Sequence, residues 1–248
     1  MIRLPQWREF VLNNKLSDIK QKIISNEEYK NWTNIISNLE KDFALSSDFN
    51  NKIALEHGIK HMDRVANNTY KLLKEYNCDE DVCILGYITG LIHDIGMIHG
   101  KPGHAQNGAE MSKTFLEKLD LLDIKDIPKI INPIRNHGNG GKNPDVITSF
   151  IAIADKADMC KMRSLGNSSP IKFIEDYEVR IKDNILQISY TMSNLKGKEG
   201  LYMIPKSIDI PNTLGSNLGL KVEFYINGEY EEFGDRGNYK GETYLRRD

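Results

Sequence analysis

Apolar residues recur every third or fourth position along most of the chain and every second position beyond about residue 178. The first period predicts helices and the second predicts strands. Ile19, Ile23 and Ile24, then Trp32, Ile35, Ile36, Leu39 and Phe43, mark amphipathic helices within residues 1–50, expected to pack over a core. A helix over Ile53 to Tyr76 follows, with Leu55, Met62, Val65, Ala66, Thr69, Leu72, Leu73 and Tyr76 on its inner side. Beside that stripe His57, His61, Arg64 and Asn68 fall at i, i+4, i+7 and i+11, a single polar line along the same helix.

From Asp81 to Gly96 the chain is almost wholly apolar, and between Val82 and Ile92 only Gly86, Thr89 and Gly90 interrupt it. This predicts a core helix, with Asp81 as its N-cap and Gly96 as its stop, too short to span a bilayer. The two glycines, four apart, leave a face of bare backbone that another helix can approach. The run ends in His93-Asp94, and a carboxylate buried there needs a compensating cation. A glycine- and proline-containing loop leads to His104, at the start of a helix from about Ala105 to Leu119 with Ala109, Ser112, Phe115, Leu116 and Leu119 inward. A short helix from Ile127 to Asn136, bent by Pro133, ends at His137 before the flexible turn Gly138 to Pro144. Asp145 then caps a helix through Val146, Phe150, Ile151, Ile153, Ala154, Ala157 and Met162 that carries Asp155, Lys156 and Asp158.

Val179 to Ile181 and Leu186 to Tyr190 flank a Lys182-Asp183-Asn184 turn, and Leu220 to Ile226 precedes Asn227-Gly228, a strong hairpin signal. Tyr230 to Phe233 is the expected return strand, and Pro205, Pro211, Gly215 and Gly219 mark loops. The expected fold is mainly α with a small C-terminal antiparallel β appendage. It divides into N-terminal helices over 1–50, a helical core over 51–177 and a β-rich part over 178–248.

A chain of 248 residues with 40% hydrophobic content and a formal net charge of −2 can bury a sizeable core and does not read as disordered. That charge balance does not point to a nucleic-acid backbone as the main partner. Met1 to Leu12 has no apolar signal region, so a cytoplasmic protein with no membrane partner is expected. Cys78, Cys83 and Cys160 are odd in number and lack CxxC spacing, which argues against a disulfide framework or a structural zinc site. The β segment could join a homodimer or cover a substrate, and the sequence leaves both open.

The metal-capable residues of the helical part are His61, His93, Asp94, His104, His137 and Asp155, drawn from five elements. Nitrogen and carboxylate ligands without thiolates suit Fe, Mn, Ni, Co or Zn. Six protein ligands are too many for one catalytic ion that must keep a position open, but they suffice for two ions sharing Asp94.

With this set the sequence resembles the HD-domain superfamily of metal-dependent phosphohydrolases over about residues 50–165. His61 lies in His-Met-Asp-Arg-Val, the doublet in His93-Asp94-Ile95-Gly96, and Asp155 in Ala-Asp-Lys-Ala-Asp. As in the binuclear branches, His104 opens a His-x-x-x-Gly pattern ending at Gly108, and His137 precedes the glycine-rich turn. The resemblance implies an HD-domain helical bundle holding two divalent metal ions, Fe or Mn first, with Mg, Ni, Co or Zn compatible. It implies hydrolysis of a phosphate ester or anhydride of a small phosphorylated substrate, with a nucleotide expected, by a water that the ions activate. Asp94 would bridge the ions, and Arg64 and Lys156 would hold phosphoryl oxygens. Lys101 and Lys142, in glycine-containing loops, would contact a further phosphate, and His57 or His99 would meet the leaving group. Asp158 is read as a hydrogen-bond partner of a ligand histidine.

The His-Asp-Ile-Gly stretch also resembles HD-GYP cyclic-dinucleotide phosphodiesterases. Met97, however, stands where that branch has lysine, His137 is not in a His-His-Glu triplet, and Asn143-Pro144 lacks the preceding tyrosine. HD-fold di-iron oxygenases resemble the same six-ligand set, so ligand identity alone leaves that reaction class open.

Overall fold

The computed structural model describes residues 16–45, 55–165 and 169–233. Readings that fall on Met1–Leu12, on Ile53 or on the side chain of Phe43 lie outside these residues. Helices α1 (Leu16–Ile24), α2 (Glu27–Leu45), α3 (Ile59–Glu75) and α4 (Glu80–Ile92) come first, followed by a 3-10 turn, Ile95–His99. Helices α5 (His104–Leu119), α6 (Pro128–Asn136) and α7 (Val146–Ala157) complete the helical body. Strands β1 (Ile174–Lys182) and β2 (Ile185–Met192), helices α8 (Lys196–Met203) and α9 (Lys206–Asn217), and strands β3 (Lys221–Ile226) and β4 (Glu229–Glu231) form the C-terminal part. The fold is mainly α with a small sheet, as the periodicities predict.

Helix α4 is the centre of the core, buried at every residue from Cys83 to Ile92. Its glycines set how near α3 comes. A Cβ on Gly90 would stand 2.4 Å from Ala66 Cα, and one on Gly86 would stand 2.2 Å from Leu73 Cδ1. The boundaries differ from the expected ones. Asp79, not Asp81, precedes the helix, and the helix ends at Ile92, which leaves His93 and Asp94 in the break before the 3-10 turn. Gly96 lies inside that turn, where an added Cβ would meet His104 O at 2.1 Å and Gly108 N at 2.4 Å. Its role is to let α5 come close, which a sequence cannot distinguish from a helix stop. Counted with the turn, Glu80–His99 spans 20 residues and is long and apolar enough to cross a membrane, so the argument from shortness fails. Burial of 78% of its apolar window inside the fold is what identifies it as a core element.

The N-terminal helices brace the end of α4. Ile19, Ile23, Tyr29, Trp32 and Ile36 are buried, and the Tyr29 hydroxyl donates to the Leu91 carbonyl at 2.9 Å. Trp32 packs edge-on against Phe115 of α5 with centroids 5.3 Å apart. Ile35 and Leu39, counted with the inner stripe from their spacing, are exposed instead. Helix α3 starts at Ile59, so His57 precedes it rather than lying on its polar line. Helix α7 is capped by Asp145, which accepts from Thr148 N, but it ends at Ala157, and Met162 lies exposed in a 3-10 turn beyond it.

The sheet order is β1-β2-β3-β4. Asp183 and Asn184, both at positive φ, close the β1–β2 hairpin, and Asn227-Gly228 closes β3–β4. The pairing of β2 with β3 is parallel, so the sheet is mixed rather than wholly antiparallel. Parallel neighbours need a long crossover, and here α8 and α9 provide it where prolines and glycines suggested loops. Pro211 and Gly215 both lie within α9, which packs on α7. Val179, Leu186, Ile188 and Tyr190 join the same hydrophobic cluster as the helices. Glu75 of α3 accepts from the Ile181 backbone N–H at 2.6 Å, so the helical body covers the β1 edge.

Replacing Gly90 by Ala drives a methyl into the Ala66 backbone. The unfolding free energy in urea is expected to fall by about 1–3 kcal/mol. Gly138→Ala, whose added methyl meets nothing within 4 Å, should leave it within about 0.5 kcal/mol of the parent.

Candidate metal centre

Three histidines are aimed by the same local device. His93 Nδ1 donates to the Gly90 carbonyl at 2.9 Å, His104 Nδ1 to Lys101 at 2.7 Å and His137 Nδ1 to Ile134 at 2.6 Å. Each contact runs three residues back. His93 and His137 follow the last residues of α4 and α6, where helix-end carbonyls lack backbone partners and can accept from a ring. A carbonyl only accepts, so each Nδ1 carries a proton, and the neutral tautomer this fixes presents its lone pair at Nε2. His61 is aimed by a carboxylate instead, its Nδ1 lying 2.5 Å from Asp158 Oδ2.

The four Nε2 atoms converge on Asp94. They lie 3.2 Å (His93), 3.4 Å (His137), 3.5 Å (His61) and 3.6 Å (His104) from its carboxylate oxygens. His104 Nε2 and His137 Nε2 are themselves 3.2 Å apart. In the neutral tautomer the lone pairs of His93, His104 and His137 face a carboxylate and one another, and they repel unless positive charge, a ring proton or a bound cation, lies among them. Asp94 Oδ1 and His93 Nε2 are buried with no hydrogen-bond partner. Among the described residues no lysine or arginine pairs with Asp94. A divalent cation fits this donor set, which also carries the tautomer-fixing contacts that metal-binding histidines need. His93, Asp94 and His137 form one triad with a ligand atom of each within 4.8 Å of the others, and His61, His93 and Asp155 form a second. The structure thus brings together all six sequence-predicted ligands.

Burial alone would raise the Asp94 pKa, yet His93, His137 and His61 hold it well below the ordinary carboxylate value. Asp155 is likewise held well below, with Lys156, His61 and Arg163 outweighing desolvation. Burial and the Arg163 charge oppose a proton on His61, but Asp155, Asp158 and Asp94 raise its pKa to about 9. The cluster calls for positive charge wherever its carboxylates meet.

The polar line on α3 has structural partners. Arg64 grips Asp158 through two 2.9 Å contacts, and Asn68 Nδ2 donates to the Tyr177 hydroxyl on β1 at 2.8 Å. Arg64 is therefore engaged with the carboxylate that orients His61 rather than free toward a phosphate. Lys156 pairs with Asp155 and keeps 19% of its side chain exposed. His57 sits beside His61 with ring centroids 6.1 Å apart, its backbone N–H donating to Glu40. Lys101 and Lys142 are exposed on the loops predicted for them, His99 is exposed at the end of the 3-10 turn rather than in a loop, and Lys101 touches the cluster through its carbonyl.

The sequence reading missed Arg163. It is 3% exposed, and its Nη2 lies 3.0 Å from Asp155 Oδ1 and 3.1 Å from His61 Nε2. The signal available was charge balance: the buried Asp155 and Asp158 require cations, and Arg163 stands five residues beyond Asp158.

The family model of the HD domain matches residues 58–160, so this part of the chain is an HD domain. This domain, with His/Asp clusters able to hold metal, supports a metal-dependent hydrolase. One similar solved structure is that of a predicted HD superfamily hydrolase from an uncultured Thermotogales bacterium. It is 23% identical with a TM-score of 0.40, and the match covers 59% of this chain and 75% of that one. No curated protein matches the chain.

Removing the Asp158 charge leaves His61 Nδ1 without its anion and the Arg64 guanidinium with only the longer 3.7 Å contact to Glu56. Asp158→Asn is expected to destabilise the fold by about 3–5 kcal/mol in urea unfolding. Lys30→Ala, which breaks an exposed pair with Glu27, should leave stability nearly unchanged.

Proposed function

We propose that this HD-domain protein is a metal-dependent phosphohydrolase that cleaves a phosphate ester or anhydride of a small molecule, with a nucleotide as the substrate class. The observation that carries this reading is the partnerless Asp94 Oδ1 and His93 Nε2 within a ring of imidazole lone pairs. His61, His93 and Asp155 would hold one divalent ion and His104 and His137 a second, with Asp94 serving both. Bound ions supply acidity to a water and positive charge to a phosphoryl group, and Fe or Mn suits the donors best.

The protein residues fix geometry and manage charge. The backbone carbonyls of Gly90, Lys101 and Ile134 keep three imidazoles in one tautomer, so no proton on Nε2 has to leave before an ion is bound. Arg64 acts at one remove, holding Asp158 against His61. Lys156 is our candidate for meeting a phosphoryl oxygen, because its ammonium is beside Asp155 and partly exposed. His57, Lys101 and Lys142 would contact the outer parts of the substrate. Among the metal-capable side chains His104 is the most open, at 21% exposed, so substrate would enter on its side.

The test is anaerobic reconstitution of metal-stripped protein with Mn(II) or Fe(II), followed by chromatography for hydrolysis products: nucleoside and phosphate or pyrophosphate from nucleoside mono- and polyphosphates, and linear dinucleotide from cyclic dinucleotides. Hydrolysis of one of these without oxygen uptake is expected. Oxygen consumption with no hydrolysis product from any of them would overturn hydrolysis in favour of a di-iron oxygenase. His93→Ala or Asp94→Ala should remove metal from one or both positions, read by elemental analysis. Lys156→Ala should leave the metal content intact while turnover falls by about 10²-fold.

A further inference from the structure

Asp158, which orients His61, is closed in by the C-terminal sheet as well as by the helices. It is fully buried, with His61 Nδ1 at 2.5 Å and two Arg64 nitrogens at 2.9 Å. The first two strands lie against this end of α7. On β2 the Tyr190 hydroxyl donates to the Ala157 carbonyl at 3.4 Å. On β1 the Tyr177 hydroxyl accepts from Asn68 Nδ2 at 2.8 Å, and Asn68 follows Arg64 by one turn of α3. With a lone pair taken by Asn68, the hydroxyl proton is left to donate, and Asp158 is the carboxylate it reaches. Burial and the Asp158 charge push the pKa of this hydroxyl well above the usual phenol value, so the proton stays in place.

Resting on the phosphohydrolase reading above, we propose that Tyr177, beyond the residues 58–160 that match the HD domain, is a positioning residue that fixes His61 through Asp158. The C-terminal sheet then completes the site and is not a separate appendage. Asp158 carries donors from His61, Arg64 and Tyr177, and turning to release one of them leaves a polar group unpaired where water does not reach. Asn68 acts one step further out, by setting which way the hydroxyl proton points. Two elements from different parts of the chain, α3 and β1, thereby hold one carboxylate against one imidazole.

The test compares Tyr177→Phe with Tyr225→Phe, which removes a hydroxyl bonded to Glu223 within the same sheet. In metal-free protein labelled with ¹⁵N-histidine and held at one pH, the low-field Nδ1 proton of His61 is assigned by its loss in His61→Asn. It is expected to move downfield in Tyr177→Phe, because a carboxylate relieved of one donor accepts more strongly from those left, and to stay in place in Tyr225→Phe. With Mn(II)-loaded protein and bis(p-nitrophenyl) phosphate as the probe, kcat of Tyr177→Phe should fall about three- to tenfold while KM stays within about twofold. Asn68→Ala should move both readouts in the same direction by less. An unmoved His61 proton, an equal movement in Tyr225→Phe, or an unchanged kcat in folded, active Tyr177→Phe would overturn the inference. Should Tyr177→Phe fail to fold, Asn68→Ala decides by the same two readouts. A parent protein that binds Mn(II) yet hydrolyses neither this ester nor any nucleotide defeats the phosphohydrolase reading instead, and the His61 proton still decides the Tyr177 contact.

Discussion

A carboxylate that cannot reach water sits among imidazole lone pairs, and the rest of the structure is arranged around that repulsion. Asp94 is 1% exposed, and the rings around it are not free to rotate into mutual hydrogen bonds. Three of them spend Nδ1 on a carbonyl three residues back. At the ends of α4 and α6 the carbonyls of Gly90 and Ile134 are those the helices leave unpaired, so the backbone geometry that ends each helix also aims a histidine. Fold and site are thus joined at the level of single hydrogen bonds. The unfavourable charge arrangement persists because burial of α4 on every side holds the His-Asp break in place.

Convergence also needs the helices to come closer than side chains allow. Gly90 against Ala66 brings α3, with His61, up to α4. Gly96 against Gly108 brings α5, with His104, up to the turn after Asp94, and a Cβ on Gly108 would lie 3.2 Å from the His93 carbonyl. The glycine of the His-x-x-x-Gly pattern is therefore a spacer for the site. The Gly86 and Gly90 spacing was legible in the sequence because both lie on one face of an uninterrupted apolar helix. Gly96 was misread as a helix stop because its contact, with residues eight to twelve positions later, depends on how the loop between them folds.

The same distinction separates the other readings. Ligand identity was legible because histidines and aspartates in an otherwise apolar or glycine-rich context are conspicuous. Asp158 was legible as a partner for His61 because it follows Asp155 by about one turn, just past the end of α7. Arg163 was not. It lies past the end of α7 in Lys161-Met162-Arg163, a stretch without periodicity, and its partners include Glu56, more than a hundred positions earlier. The pairing of Leu55 with Ser164 closes that distance, and nothing local announces it. In the C-terminal part, hairpin turns were legible from Asp183-Asn184 and Asn227-Gly228, because left-handed residues declare themselves. The α8–α9 crossover was not, because proline and glycine in short amphipathic segments look alike whether the segment is a loop or a helix.

Two properties of the cluster coincide. His61, His93 and Asp155 are sealed at 0–3% side-chain exposure, and this sealed side is where Arg163 supplies a fixed charge. His104 is open at 21%, and on its side no lysine or arginine among the described residues pairs with Asp94. A charge fixed where water is excluded stabilises Asp155 even with no ion beside it, since a buried anion needs a permanent partner. On the open side water and dissolved cations can reach the donors directly, and no built-in partner is needed. The distribution of arginine and lysine around the six donors therefore follows solvent access.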